Sequence, residues 1–395
     1  MASSQDTAFL VFVGASLSFY IHVPFCDPNN HGRCDYCDFF STADEKFFLN
    51  EDYIDAFINA VIEDVKYQIK YFDVTEIPTV YIGGGTPSVL GRRTGVLLDA
   101  LKKINCFAPV EITVEANPES ATEEFLCACR EGGVNRLSLG VQTFHEPSRQ
   151  AVNRVGNIKM LDERIALCSR FFPGSLSVDL ITGLPYQNEE IVIEDVRRLL
   201  DFDPVHVSLY SLSVESGTPL EHKLKNRKIS LPDRDKADVL WLTARDALIE
   251  AGFYHYEVSN FARDGKKCLH NIRYWLMEGW LGAGPAASGT IVNEGAGIAK
   301  RFTYAPNIDA YINSPFIETA ICEELDKAAL IRESLLMGYR YCEGPDAEIF
   351  KQRFGRTVEE CIPQTLSRWK GREKMLFLNS FLCEAFNELD LIFPI

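Results

Sequence analysis

Positive charge is scarce in this chain. Its 395 residues carry 40 Lys and Arg against 56 Asp and Glu, a formal net charge of −16. Affinity for nucleic acid rests on Lys and Arg meeting phosphates, so nucleic acid is not an expected partner. No secretory leader is recognisable, and the 12 cysteines are scattered along the chain. Disulfide frameworks belong to small secreted domains, so a reducing, cytoplasmic location is expected. Internal repeats and low-complexity tracts are also lacking. One stretch, Thr7 to Cys26, has no Asp, Glu, Lys or Arg, but Gly14, Ser16, Ser18, His22 and Pro24 interrupt it and no basic residue follows before Arg33. Those flanks do not suit a membrane span; a buried strand or a loose N-terminus is expected. With 46% hydrophobic and 24% charged residues, the chain suits one large domain and a smaller one.

What is present is an alternation of short β-branched runs with segments of helical period. Strands are expected at Phe19–Val23, Thr79–Ile82, Val110–Glu115, Arg136–Val141, Leu176–Ile181 and Val205–Tyr210. Between the first two, Tyr53, Phe57, Val61 and Val65 recur every fourth residue beside Ile54, Ile58, Ile62 and Ile69, the stripe of an amphipathic helix. Repeated strand, helix, strand units mean parallel pairing. Six such units predict an α/β fold with a partial (β/α)6 barrel, whose chemistry belongs at the C-terminal strand ends. A further helix is expected to open at Pro232 and stop near Gly252. After Asp326 shorter helices are expected at Ala328–Tyr341 and Val358–Trp369, then strands at Met375–Leu378 and Leu389–Phe393 forming a hairpin.

The strand ends carry the chemistry. Cys26, Cys34 and Cys37, spaced C-x7-C-x2-C, leave the first strand, and thiolates so grouped are soft ligands for an iron–sulfur cluster or zinc. Structural zinc wants four protein ligands, whereas a [4Fe–4S] cluster held by three cysteines keeps one iron open. Zinc completed by His31 or His22, or reduced core cysteines, remain alternatives. Gly83-Gly84-Gly85-Thr86-Pro87 ends the second strand, where glycines let backbone approach a ligand; a tight turn explains the run equally well. Glu115 ends the third, within Glu115-Ala-Asn117-Pro118-Glu119, and Gln142, Asp179 and Tyr210-Ser211 end the remaining three. Buried acids there need donors such as hydroxyls or an ammonium. Arg154 adds a guanidinium to the same mouth.

Several motifs carry a resemblance: Phe19-Tyr-Ile-His-Val-Pro-Phe-Cys26, Cys34-Asp-Tyr-Cys37-Asp-Phe, the glycine run, Arg136-Leu-Ser-Leu-Gly-Val-Gln142 and Asp179-Leu-Ile-Thr-Gly-Leu-Pro185. With Val207–Leu212, Glu215–Pro219, His255–Ala262 and His270-Asn271-Ile-Arg-Tyr274-Trp275, they resemble the HemN/HemW group of radical S-adenosylmethionine (SAM) proteins from residue 17 to about 290. The resemblance implies a [4Fe–4S] cluster on Cys26, Cys34 and Cys37, with SAM on its open iron. It places Tyr20, Tyr36, Gly84, Gly85, Thr86, Glu115, Gln142, Arg154 and Asp179 at the SAM-contacting positions. Reduction would split SAM into methionine and a 5′-deoxyadenosyl radical.

Two subgroups divide on one position. The oxygen-independent coproporphyrinogen III oxidases of porphyrin biosynthesis have a further cysteine two places after the third, where this chain has Phe39, and a longer arm before the cluster motif. Coproporphyrinogen dehydrogenase activity is therefore not expected. The HemW type, a haem chaperone, fits better and brings haem as cargo, with His270 as its implied ligand and Cys268 as a second candidate. A buried His270 hydrogen-bonded to backbone is the alternative. Implied partners are haem-accepting apoproteins, respiratory ones among them, and an electron donor; membrane-surface association and homodimerisation stay open. By the same resemblance, residues 1–16 are an N-terminal extension and 17–220 the barrel with cluster and SAM. Residues 221–325 are a linking region with the HNxxYW motif, and 326–395 a small C-terminal α+β, winged-helix-like domain. Two departures stand out. Four extra residues lie within Asp27–Arg33, at a closure cost of about 0.6 kcal/mol per doubling of loop length. The loop Gly282–Ser288 also lacks a histidine found in relatives.

Overall fold

The structure, a computed structural model, describes residues 15–29, 32–45, 50–154 and 156–392. The apolar run before residue 15, His31 and Phe393, the last residue of the expected C-terminal strand, lie outside the described residues.

Six strands, β1 (Ser18–Val23), β2 (Thr79–Gly84), β3 (Glu111–Ala116), β4 (Arg136–Gln142), β5 (Leu176–Thr182) and β6 (His206–Ser211), pair in parallel in chain order. Each expected strand is present, its ends within two residues of the expected bounds. Their near-continuous burial follows from being covered on both faces. The covering helices are α1 (Glu51–Tyr71), α2 (Arg93–Lys102), α3 (Glu123–Glu131), α4 (Ile158–Phe171) and α5 (Glu189–Leu200). Asn50, Thr122, Asn157 and Asn188 each cap one of them by accepting a backbone N–H of the first turn. The stripe read along α1 is its buried face: Ile54, Phe57, Ile58, Val61, Ile62 and Val65.

The helix expected from Pro232 is α6 (Arg234–Glu250), capped by Asp233, with Leu240, Ala244 and Leu248 buried. Six more strands extend the sheet: β7 (Tyr254–Glu257), β8 (Asn260–Ala262), β9 (Trp280–Ala283), β10 (Ser288–Asn293), β11 (Ile298–Thr303) and β12 (Ile321–Leu325). The order is β12-β11-β10-β9-β1-β2-β3-β4-β5-β6-β8-β7. Only β9 joins the parallel set, beside β1; the others pair antiparallel. The barrel is therefore partial, as expected, and open between its flanking strands. Between β8 and β9 lies the short helix α7 (Leu269–Trp275), which carries the HNxxYW residues.

The C-terminal part differs from expectation. The helix α8 (Lys327–Gly338) forms, but the expected helix Val358–Trp369 is split into Val358–Cys361 and Pro363–Arg368. Pro363 starts the second piece because proline has no N–H to continue the first. The expected hairpin is replaced by a helix, α9 (Leu378–Leu389), and no strand follows Leu325 among the described residues. Phe381, Leu382, Ala385 and Leu389 are buried together, a helical spacing that windows of four apolar residues could not distinguish from a strand. This part has its own core, to which Met277, Val292, Ala299 and Leu325 of the sheet side contribute. Among the described residues no helix is long and apolar enough to cross a membrane.

Candidate functional site

The C-terminal ends of β1 to β6 open into a cavity of about 390 Å³. Cys26, Cys34, Cys37 and Tyr36 line it, with Gly84, Gly85, Thr86, Glu115, Gln142, Arg154 and Asp179. Chain topology thus brings together eleven of the twelve residues that the resemblance assigns to the cluster and SAM. Tyr20 does not line the cavity. It lies in β1, its hydroxyl 2.9 Å from His22 Nδ1 and its ring 6.3 Å from that of Tyr81.

The loop between Cys26 and Cys34 shows how four extra residues are accommodated. The Gly32 N–H donates to the Asp27 carbonyl at 2.9 Å and Asn29 N–H to Asp27 Oδ1 at 2.9 Å, so the insertion closes on its own base. Gly32, at φ +65°, takes the left-handed conformation that this closure requires. The rest of the loop is tied down. Arg33 donates to the carbonyls of Cys37 (3.2 Å) and Phe39 (3.0 Å), Asn153 donates to the Arg33 carbonyl, and Asp35 pairs with Lys223.

The glycine run has a packing reason as well as a ligand one. A Cβ on Gly85 would stand 2.6 Å from the Phe25 carbonyl oxygen, and one on Gly84 (φ +114°) 2.7 Å from the His22 ring. Only glycine lets β2 end this close to the chain leading into Cys26. Thr86 Oγ1 lies 3.8 Å from Cys26 Sγ and accepts from Asn117 at 3.1 Å.

Electrostatics at the mouth follow from burial. Burial raises the Cys26 thiol and pushes Cys37 up to about 11. Burial would lower the Arg154 guanidinium, but Cys34 and Tyr36 beside it outweigh that and raise it. Its Nη1 lies 3.5 Å from Cys34 Sγ, and Nη2 donates to the Gly140 carbonyl. Glu115 is pushed up to about 7 by burial, against the Tyr81 hydroxyl (2.7 Å) and Gly84 N–H (3.2 Å) that it accepts. Asp179 is pushed up to about 6 by burial, opposed by the Ser208 and Ser138 hydroxyls. Gln142 Oε1 is buried with no hydrogen-bond partner, the mark of an acceptor awaiting a donor.

One residue missed from sequence holds this mouth in shape. Gln142 sits at φ +71°, a costly conformation for a residue with a side chain. The fully buried Arg149 spans it, donating Nη1 to the carbonyls of Val141 (2.7 Å) and Thr143 (3.2 Å) and Nη2 to Glu119 Oε1 (3.1 Å). From α5, Asp195 accepts Thr143 Oγ1 at 2.6 Å and Phe144 N–H at 2.7 Å. The sequence marks the Arg149 partner Glu119 only as the last residue of the motif that ends β3.

His270 lies elsewhere. Its Nδ1 is 2.8 Å from Thr79 Oγ1 and its Nε2 2.9 Å from the Tyr274 hydroxyl, and the residue is 1% exposed. Glu111 caps α7, accepting the N–H groups of Leu269 (3.1 Å) and His270 (2.9 Å) and pairing with Arg136 at 3.1 Å. Thr79, Glu111 and Arg136 begin β2, β3 and β4. The HNxxYW helix therefore plugs the end of the barrel opposite the three cysteines. Cys268, the second candidate, is buried there too, its thiol 3.4 Å from Glu111 Oε1.

The donor set fits the implied cofactors: three thiols around one cavity, two half-buried carboxyls, glycine N–H groups, a guanidinium and an unpartnered amide oxygen. Among the described residues, no three or more His, Cys, Asp and Glu side chains are gathered tightly enough for a single metal ion. His22, weighed as a zinc ligand, has both ring nitrogens engaged, the second 2.8 Å from the Phe40 carbonyl.

Comparison with known proteins agrees with this geometry. The family model of the Radical SAM superfamily matches residues 20–199. The heme chaperone HemW of Lactococcus lactis subsp. lactis is 34% identical over 360 residues, covering 88% of this chain and 90% of that protein. HemW of Escherichia coli is 34% identical over 277 residues, 70% of each chain. The mouse protein called radical S-adenosyl methionine domain-containing protein 1, mitochondrial, is 33% identical, covering 82% of this chain and 73% of that protein. Among solved structures, coproporphyrinogen III oxidase (HemN) from Escherichia coli superposes with a TM-score of 0.76 over 98% of this chain and 93% of that one. At 19% identity it shows the shared fold alone. This chain belongs to the radical SAM superfamily and, within it, to the HemW type.

Proposed function

We propose that this chain binds haem and hands it to haem-accepting apoproteins, with a [4Fe–4S] cluster and SAM as its resident cofactors. The observation that carries the reading is the 34% identity that extends over 90% of a heme chaperone. Phe39 supports it: this residue stands where coproporphyrinogen oxidases continue their cysteine motif, and it is 62% exposed at the rim of the cavity.

Cys26, Cys34 and Cys37 would hold the cluster, which would supply one-electron reducing chemistry toward SAM. The other residues bind and orient. Glu115 and Asp179 accept from the amino group or ribose hydroxyls, Gly84 and Gly85 offer backbone N–H groups, and Arg154 meets the carboxylate. Gln142 Oε1 takes one more donor. An electron donor is required, and a reducing compartment such as the cytoplasm suits twelve cysteines of which none forms a disulfide among the described residues; respiratory apoproteins are the proposed recipients.

The test is a haemin titration of the anaerobically reconstituted full chain, followed by transfer to an apo-haem protein. A saturable Soret change followed by transfer supports the reading. Absence of saturable binding rejects it, and SAM-dependent decarboxylation of coproporphyrinogen would move the chain to the oxidase class.

A further inference from the structure

The thiol loop and the glycine run reach the strand-end cavity from neighbouring strands, and one side chain lies between them. His22 stands in β1 opposite Gly83 of β2, is 4% exposed, and does not itself line the cavity. Its Nε2 lies 2.8 Å from the Phe40 carbonyl oxygen. A carbonyl only accepts, so Nε2 carries the ring proton. Burial lowers the His22 pKa and leaves the ring neutral, so Nδ1 is an acceptor and takes the Tyr20 hydroxyl at 2.9 Å. Tyr20, His22 and Phe40 thus form one directed chain of hydrogen bonds.

The ring has a second contact. A Cβ on Gly84 would stand 2.7 Å from its Cε1 and Nδ1 and 3.0 Å from its Nε2, so the bare Gly84 backbone rests on the imidazole. A flat ring at position 22 and glycine at position 84 are a matched pair. Phe40 belongs to the outgoing limb of the thiol loop, three residues after Cys37. Backbone closes the base of that loop: the Cys26 N–H donates to the Thr42 carbonyl at 2.8 Å and the Thr42 N–H to the Pro24 carbonyl at 2.7 Å. His22 adds the side-chain tie at Phe40. One imidazole therefore meets both halves of the site, the thiol segment through a hydrogen bond and the glycine segment through van der Waals contact.

We propose that His22 is a positioning residue that sets the spacing between the three thiols and Gly84, and that Tyr20 acts on SAM binding through His22 instead of by contact. The inference rests on the cluster-and-SAM reading above. Tyr20 holds a SAM-contacting position by resemblance, yet the cavity is not lined by it. Its hydroxyl instead orients the imidazole, and without it Nδ1 is a buried acceptor that lacks a donor. A shift of the ring then moves Phe40 and Gly84 relative to each other, and with them the cluster relative to the groups that hold SAM.

The experiment follows the reconstituted full chain and four variants by iron content, by calorimetric SAM titration and by electron paramagnetic resonance of the reduced cluster with and without SAM. The parent should hold its iron and show a spectrum that shifts when SAM binds. His22→Phe keeps a flat ring against Gly84 but loses the tie to Phe40. It should keep its iron, bind SAM about tenfold more weakly and lose most of the spectral shift. His22→Gln, which offers both a donor and an acceptor, should restore part of the affinity and of the shift. Tyr20→Phe should weaken SAM binding about threefold or more, and adding it to His22→Phe should cost nothing further. A merely structural histidine would lower stability in these variants and leave the shift alone. If the parent takes up no iron or binds no SAM, the cofactor reading itself fails. If the parent binds SAM and His22→Phe matches it in affinity and shift, the positioning role is wrong and the reading stands. A full additive loss in the double variant would mean that Tyr20 meets SAM itself, which overturns its indirect role. Loss of iron in His22→Phe overturns the spacing role in favour of one in holding the thiols. Should His22→Phe fail to fold, Tyr20→Phe and His22→Gln decide, and parent-like affinity and shift in both overturn the proposal.

Discussion

Gln142 illustrates how single residues are prepared for a ligand. Its backbone is held at φ +71° because Arg149 grips the carbonyls before and after it. Arg149→Met should cost about 3–5 kcal/mol of stability by leaving Glu119 buried and unpaired. Adding Glu119→Gln should return much of that stability. SAM affinity should stay about tenfold weaker, since the two carbonyls still lack their donor. Calorimetric SAM titration of both variants checks this, and full recovery of affinity in the double variant would refute the clamp. Glu115 predicts a pH effect. Burial raises it to about 7, and its ionised form is the one that accepts ligand hydrogens. SAM affinity should therefore be complete above pH 7 and fall as pH drops through that value, by up to about tenfold per unit. Glu115→Gln should flatten the profile, and a parent whose affinity is constant from pH 6 to about 8.5 would contradict the assignment. The sequence showed which residue types meet at the mouth. It could not show Arg149, because nothing in its local pattern distinguishes a buried arginine from a surface one.

At the scale of elements, the insertion between Cys26 and Cys34 closes at its base through Gly32 and Asp27. Deleting residues 28–31 should leave iron content and SAM affinity unchanged, with a stability change below about 1 kcal/mol. Iron analysis after anaerobic reconstitution measures it, and loss of the cluster would mean that the longer loop positions the thiols. The plug helix α7 depends on Glu111, which caps it and pairs with Arg136. Glu111→Ala should cost about 3–5 kcal/mol by stranding the Arg136 guanidinium, seen as a lower midpoint in urea. The parallel strands were legible because each is a β-branched run long enough to be read by composition. The C-terminal hairpin was misread because Met375–Leu378 and Leu389–Phe393 are too short to carry a period; the helix lies between them.

Across the whole molecule one sheet links the barrel to the C-terminal helices. β10, β11 and β12 contribute Val292, Ala299 and Leu325 to the second core, and Arg353, buried under that core, reaches Glu294 at 2.7 Å and the Met277 carbonyl at 3.1 Å. The two parts should therefore unfold together. Calorimetry of the chain without cofactors should show a single transition, and Arg353→Met should lower it as a whole. A separate early C-terminal transition in the parent would show that the shared strands do not couple the two cores.

The sequence by itself determined the six parallel strands, through local β-branched runs, and the HemW type, through the motifs that resemble its relatives, and it singled out Cys26, Cys34 and Cys37 as the proposed cluster ligands. Only the tertiary structure decided that the HNxxYW helix sits at the opposite end of the barrel, against the starts of β2 and β3. His270 and Cys26 flank the same parallel strands in sequence motifs of equal prominence, yet Thr79 and Gly84 place them at opposite ends of β2.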